Sequence, residues 1–290
     1  MKLYTKFFIV VALTVVLISC GSKTTIKTSG SKDSGTTNTS NTSSGKIDTT
    51  HSDEFAISEV YYRSTPNNCT KNDSNCTYTE IIFSKLLQGP AKDKINQMML
   101  DSTLFFSYTS DTVAGKLTVN AVLDTFMAGY NSYKTDMTSR GYGADVIPWS
   151  QEVNTSIPFY NPAVIVYTIG VFSFLGGAHP NTNLFYYNFD WNTGNRLQLS
   201  DVLKPGFEKK LNELIVAEFR KVRGLKSNEP LNSVLFNDTL TYTNNFGISR
   251  GKLIFYYNAY DIAAYAYGPT DLEIPISAIQ DYIINPAMFQ

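Results

Sequence analysis

Residues 163–172 read AVIVYTIGVF and residues 183–199 read NLFYYNFDWNTGNRLQL. The first stretch is a nearly unbroken apolar run of strand length, rich in β-branched residues, which is the pattern of a central strand buried on both faces. In the second, Phe185, Tyr187, Phe189 and Trp191 alternate strictly with more polar neighbours. That period of two puts an aromatic row on one face of a sheet. Asn192-Thr193-Gly194-Asn195 follows as a hairpin turn leading into Leu197 and Leu199.

Helical spacing appears on either side of this sheet. Ile95, Met98 and Met99 recur at helical intervals, and Val119, Val122, Leu123, Phe126, Met127 and Tyr130 make one continuous apolar face. A further helix is expected from Phe207 to Val222, with Leu211, Leu214, Ile215, Glu218 and Phe219 on its face. Pro205 stands near its start and Gly224 beyond its end, as helix-terminus chemistry favours. Strands return at about Asn245–Ser249 and Leu253–Asn258, joined by Arg250-Gly251, before a tyrosine-rich loop, a short strand over Leu272–Ile276 and a terminal helix. Strand and helix runs are segregated rather than strictly alternating, so the fold class is α+β, with no internal repeat.

The amino terminus reads as an address. Lys2 and Lys6 precede an apolar run from Phe7 to Ile18, too short to span a bilayer as a helix and suited to a signal-peptide core. It ends in Leu17-Ile18-Ser19-Cys20-Gly21, which resembles the bacterial lipobox. That resemblance implies cleavage after residue 19 and lipidation of Cys20, with acyl chains at roughly 0.8 kcal/mol per buried methylene holding the chain to a membrane. Residues 20–54, GSKTTIKTSGSKDSGTTNTSNTSSGKIDTTHSD and its flanks, offer almost nothing to bury, and are expected to be a linker reaching about 30 Å, with His51 solvated near its end. Surface-export signals in some lineages are acidic clusters just after the lipid cysteine; Gly21–Thr25 has none, which favours an outer-membrane anchor facing the periplasm.

The remaining cysteines, Cys69 and Cys76, are then in a compartment that permits pairing. Alternating residues before and after the turn-rich TPNNCTKNDSNCT stretch place them across a hairpin mouth, where a disulfide braces a loop more than it holds the fold. Charge excludes other classes. With 24 basic and 25 acidic side chains in 290 residues, there is no excess for tracking phosphates, so no nucleic-acid partner is expected, and removal of Lys2 and Lys6 makes the mature chain more acidic still.

Two segments carry a resemblance. One is Gly176-Gly177-Ala178-His179-Pro180-Asn181, followed by Asn188, Asp190, Gly194 and the Leu197–Leu203 run. The other is Tyr257, Tyr260, Asp261, Ile262 and Ala263 through Tyr267-Gly268-Pro269 to Ile274-Pro275-Ile276. Together they resemble the extracellular domain found in anti-sigma factors of the RsiV type and beside the catalytic module of peptidoglycan deacetylases of the PdaC type. The resemblance covers most of Ile57–Ile283. It implies a smaller N-terminal α/β unit over 55–160 packed with a C-terminal sheet-and-helix unit over 161–290. The best understood members sense lysozyme by binding it. A sigma-binding segment before the membrane signal and a deacetylase module after the domain, which mark those two architectures, are not expected here, so neither signalling nor catalysis is expected to carry over.

The motifs leave open what His179 does. Pro180 and the glycine pair hold its loop in an unusual shape, in which the ring acts as base or ligand, or simply bonds backbone and tyrosine hydroxyls to lock two strands. A metal-dependent deacetylase needs two histidines and an acid on one ion, and the only other of the 2 histidines lies in the linker, so no metal site and no cofactor are expected. No GxSxG elbow is present. Asp190, Asp201, Asp261 and Asp271 are available for a carboxylate-based hydrolase or as turn formers. Tyr260, Tyr265 and Tyr267 suit gripping a sugar or protein partner, or the wet edge of a core; Tyr256 and Tyr257 alternate and read as buried. The expectation is a lipid-anchored envelope protein whose domain binds lysozyme or peptidoglycan fragments through Gly176, Gly177, His179, Asn181, Tyr260, Asp261, Tyr265 and Tyr267. The alternatives are a cell-wall-acting hydrolase and a structural envelope lipoprotein.

Overall fold

β-branched and aromatic alternation gives way to helical period and back again along the chain, and the elements follow it. A computed structural model describes residues 51–52, 55–66, 69–70, 73–107, 116–143 and 146–290. The expected leader, Cys20 and the linker up to residue 50 lie outside the described residues. His51–Ser52 (β1) pairs antiparallel with the start of Phe55–Ser64 (β2), which pairs antiparallel with Tyr78–Leu86 (β3). Lys92–Ser107 (α1) and Val119–Ser139 (α2) then cross over to Ser150–Tyr160 (β4), which lies parallel to β3. Val164–Phe174 (β5) and Asn181–Asp190 (β6) complete the sheet as an antiparallel meander, in the order β1-β2-β3-β4-β5-β6.

A short turn of helix, Leu199–Val202 (α3), and Glu208–Arg223 (α4) lead to a second sheet of Phe246–Ser249 (β7), Lys252–Tyr257 (β8) and Thr270–Pro275 (β9), all antiparallel. The class is α+β. The boundary expected at 160/161 falls in the hairpin between β4 and β5, two neighbours of one sheet. The expected terminal helix is corrected. After β9 the chain makes three short 3-10 turns, ending in Pro286–Phe289. Ile276, Ile279 and Ile283 are β-branched and spaced to insert singly into the core, and Pro286 cannot continue a helix from the residues before it.

β5 separates two cores. Ile165, Tyr167 and Ile169 face Phe83, Ile95, Met99, Val153, Phe189 and Trp191 under α1. Val164 and Val166 point the other way, into a core where Leu211, Ile215 and Phe219 of α4 meet Leu253, Phe255, Leu272 and Ile274 of the small sheet. Each such side chain contributes about 1.5–3 kcal/mol on burial, which is why the apolar run shows no alternation. The alternating row of β6 also lies where its period puts it, Tyr187, Phe189 and Trp191 all buried. Gly194, at φ 64°, turns the chain after β6 so closely over α1 that a Cβ would sit 2.9 Å from that of Ala91.

Cys69 and Cys76 form a disulfide beside the β2–β3 hairpin, where Thr65 Oγ1 touches both sulfurs and bonds the Thr77 carbonyl. Asparagines join the two sheets. The free edge of β6 gives its Leu184 and Tyr186 N–H groups to Asn258 Oδ1 (2.6 Å) and Asn245 Oδ1 (2.8 Å). Asn188, 2% exposed, donates from Nδ2 to Phe246 O (2.7 Å) and accepts at Oδ1 from the Ile248 N–H (2.9 Å) on β7. Side-chain amides thus stand in for a strand ladder, satisfying backbone groups that would otherwise be buried without partners.

Candidate functional site

The β5–β6 loop turns on Gly176 (φ 84°) and Gly177 (φ 105°), a left-handed path that side-chain-bearing residues rarely take. It delivers His179, exposed, against the segment after β8. The imidazole stacks on Tyr265 with ring centroids 3.8 Å apart and planes at 18°. Its Nδ1 lies 2.9 Å from the Pro180 carbonyl, which can only accept, so Nδ1 carries the proton. Tyr260 OH, 3.4 Å from Nε2, then faces the ring's lone pair. Tyr265 OH donates to the same Pro180 carbonyl at 2.9 Å. Four of the sequence candidates therefore converge: Gly176 and Gly177 shape the loop, and His179 and Tyr265 pair face to face.

Tyr260 is 53% exposed and is the sole non-glycine residue with positive φ (72°) among those described. Such a backbone costs of order 1–3 kcal/mol and persists only where its surroundings enforce it. Here the Asn258 N–H donates to Asp261 Oδ2 (2.7 Å), the Asp261 N–H to Asn258 O (3.1 Å), and Asn258 is fastened to Leu184. Asp261 is thus the clasp of this turn. Tyr267, 44% exposed, forms part of an open cleft of about 520 Å³ with Thr182, Ala259, Tyr265 and Pro269. Asn181 opens β6, exposed, next to the cleft residue Thr182.

Two supporting residues escaped the sequence reading. Arg223, in the last turn of α4, donates from Nη1 to Tyr267 O (2.9 Å) and from Nη2 to Pro269 O (3.3 Å) and Thr270 Oγ1 (2.5 Å), so it holds the cleft's outer wall. Phe236, 56% exposed, bonds through its N–H to Ile262 O and adds apolar surface beside the tyrosine segment. Only the last-turn position of Arg223 was visible in the sequence, and it reads there as ordinary complementation of a helix C-terminus.

The carboxylates have other occupations. Asp190 Oδ1 accepts from the N–H groups of Asn192 and Thr193 and from Thr193 Oγ1. Asp201 Oδ2 accepts from the Gln198 N–H in a capping box. Asp271 stands on β9, paired in register with Tyr256; partial burial and the neighbouring Glu273 raise its pKa above the usual carboxylate value, against the pull of Lys252. Tyr256 and Tyr257 are half-buried and buried, and burial pushes both hydroxyls up. Among the described residues the hydrogen-bond partners of His179 are the Pro180 carbonyl and Tyr260, and neither a nucleophile nor an orienting acid bonds it. The arrangement is a stacking surface with amide and hydroxyl rims, suited to holding a flat or ring-shaped polar group.

Comparison with known proteins concerns the same half of the chain. Residues 200–277 match the family model described as a protein of unknown function, DUF3298. That span includes α4, the small sheet and the tyrosine segment; Gly176–Asn181 precedes it. No curated protein matches the sequence. Two crystal structures of DUF3298-family proteins share the fold. One from Bacteroides fragilis has a TM-score of 0.61 at 18% identity, covering 81% of this chain and 96% of that one. One from Pseudomonas aeruginosa has a TM-score of 0.59 at 18% identity, covering 82% and 97%.

Proposed function

We propose that this chain is an envelope lipoprotein, anchored by lipid on Cys20 in the outer membrane and facing the periplasm, whose α+β domain binds a ligand without transforming it. The ligand is lysozyme or a peptidoglycan fragment, as the RsiV and PdaC resemblance suggests. The observation that carries the reading is the solvent-facing stack of His179 on Tyr265, flanked by a strained Tyr260 and an open cleft. Strain is retained at a surface where burial does not require it, which is a hallmark of positions kept for contact. Stacked aromatics lose little rotamer entropy when they grip a partner.

The test is retention of the purified full chain on immobilised lysozyme and on labelled peptidoglycan, with assay of released sugar and acetate. Binding without product release is expected. His179→Ala and Tyr265→Ala should each weaken retention by at least about tenfold, and because His179 is exposed the first should leave unfolding unchanged. Released sugar or acetate overturns the binding reading. Palmitate label that persists in Cys20→Ser overturns the anchor.

A further inference from the structure

The far ends of β5 and β6 lie roughly 30 Å from the His179 stack, at about 3.3 Å per residue. There the β4–β5 hairpin, the turn after β6, the β7–β8 tip and the last 3-10 turn surround an open pocket of about 640 Å³. That is within the range of small-molecule sites. Its walls are fastened to one another. Asn161, 8% exposed, donates to Ala287 O (3.0 Å) and Gln290 O (3.2 Å) and accepts from the N–H groups of Ala163 and Val164. Asn192 Nδ2 donates to Pro162 O (3.2 Å), and the Gly251 N–H to Phe289 O (2.9 Å). Four segments remote in sequence thus form a bowl whose backbone walls are held in place before a ligand arrives.

The groups left over in this bowl define what fits. Arg250, carried on the pinned β7–β8 tip, lines the pocket and has no hydrogen bond or ion pair among the described residues. Among the described residues Asn192 Oδ1 and Asp190 Oδ2 are also acceptors without a donor, while Asp190 Oδ1 is occupied by three. A guanidinium fork takes a carboxylate in bidentate fashion. The acceptors want hydroxyl hydrogens, and the carboxylate of Asp190 disfavours an anion that brings none. A simple inorganic anion satisfies only Arg250, and a neutral sugar only the acceptors. We infer that this pocket binds a sugar acid, its carboxylate on Arg250 and its hydroxyls on Asn192 and Asp190. The site is separate from the proposed lysozyme or peptidoglycan surface and does not depend on it.

Calorimetric titration of the full chain with D-glucuronate tests this, with D-glucose and acetate as comparison ligands. Saturable binding of glucuronate is expected, with glucose and acetate weaker by at least about tenfold. Arg250→Gln should lose about tenfold or more in affinity with no change in unfolding temperature, since Arg250 has no partner to lose. His179→Ala should bind glucuronate like the parent, which separates this site from the aromatic stack. The inference is overturned by absence of saturation up to about 10 mM, by equal binding of acetate or glucose, or by undiminished binding in Arg250→Gln.

Discussion

Replacing Arg223 with alanine removes one side chain and three hydrogen bonds, all of them to the segment that forms the cleft wall. The acceptors are Tyr267 O, Pro269 O and Thr270 Oγ1. Tyr267 and Pro269 are exposed, so water replaces the guanidinium there at little cost. Thr270 is 2% exposed, and its hydroxyl is left in the interior without that partner. A lost charge-assisted bond to a buried group costs about 1.5–3 kcal/mol. At about 2–4 °C per kcal/mol for a domain of this size, the midpoint of thermal unfolding should fall by about 3–12 °C. Arg223→Lys keeps the charge but cannot reach three divergent acceptors, so it should recover less than half of that loss. The second readout is local. Tyr265 stacked 3.8 Å above His179 shields the imidazole protons, and a loosened 265–269 segment should move their resonances toward unshielded positions. An Arg223→Ala protein that melts within about 1 °C of the parent and keeps its imidazole shifts would refute the claim that α4 supports the site.

Other perturbations address other joints of the molecule. Asn188→Ala should cost about 2–5 kcal/mol in denaturant unfolding, because Phe246 O and the Ile248 N–H are both left buried and unpaired; a loss below about 1 kcal/mol would mean the amide link carries no weight. Reduction of Cys69–Cys76, or the double serine variant, should lower stability by about 2–3 kcal/mol for so short a loop while near-native spectra persist. Two free thiols detected by alkylation mass spectrometry in unreduced protein would contradict the bridge. Burial raises the hydroxyl pKa values of Tyr167 and Tyr257 and pushes Tyr186 up to about 12. The unfolded chain then sheds those protons first, so stability should decline as pH rises from about 10 toward 12. Tyrosinate absorbance should appear for these rings together with unfolding, and a melting temperature flat across that window would speak against their burial.

What could be read from the chain depended on whether the decisive contacts are local. The faces of α2 and α4, the αL stop at Gly224 (φ 67°), the doubly buried β5 and the β6 row all follow from spacing within one element. Long-range pairing left no such trace. Nothing in β3 or β4 announces that they lie parallel, or that β4 and β5 are neighbours across the boundary drawn at 160/161. The terminal helix expected of the tail is replaced by single 3-10 turns, which present Ile276, Ile279 and Ile283 to the core at near-helical intervals without a continuous helix. At the site, His179 and Tyr265 are 86 positions apart, and only the resemblance marked both segments. Arg223 and Phe236 were missed because a basic last turn and a lone aromatic are ordinary features until the fold brings them to the cleft. The aspartates were ambiguous for a related reason, since turn clasps and catalytic acids use the same residue types.

The one parallel pairing in the first sheet has a consequence for how the chain assembles. Residues 87–149 separate the end of β3 from the beginning of β4. A polypeptide leaving a ribosome or a membrane pore amino end first must hold β3 with one flank bare until all of them have emerged, and α1 has nothing but a hairpin to settle on in the meantime. Isolated two-stranded hairpins are marginal in water. Oxidation of Cys69 and Cys76 during that wait would keep the waiting hairpin closed, so the bridge that braces one loop of the finished molecule would also decide how often the unfinished one goes astray.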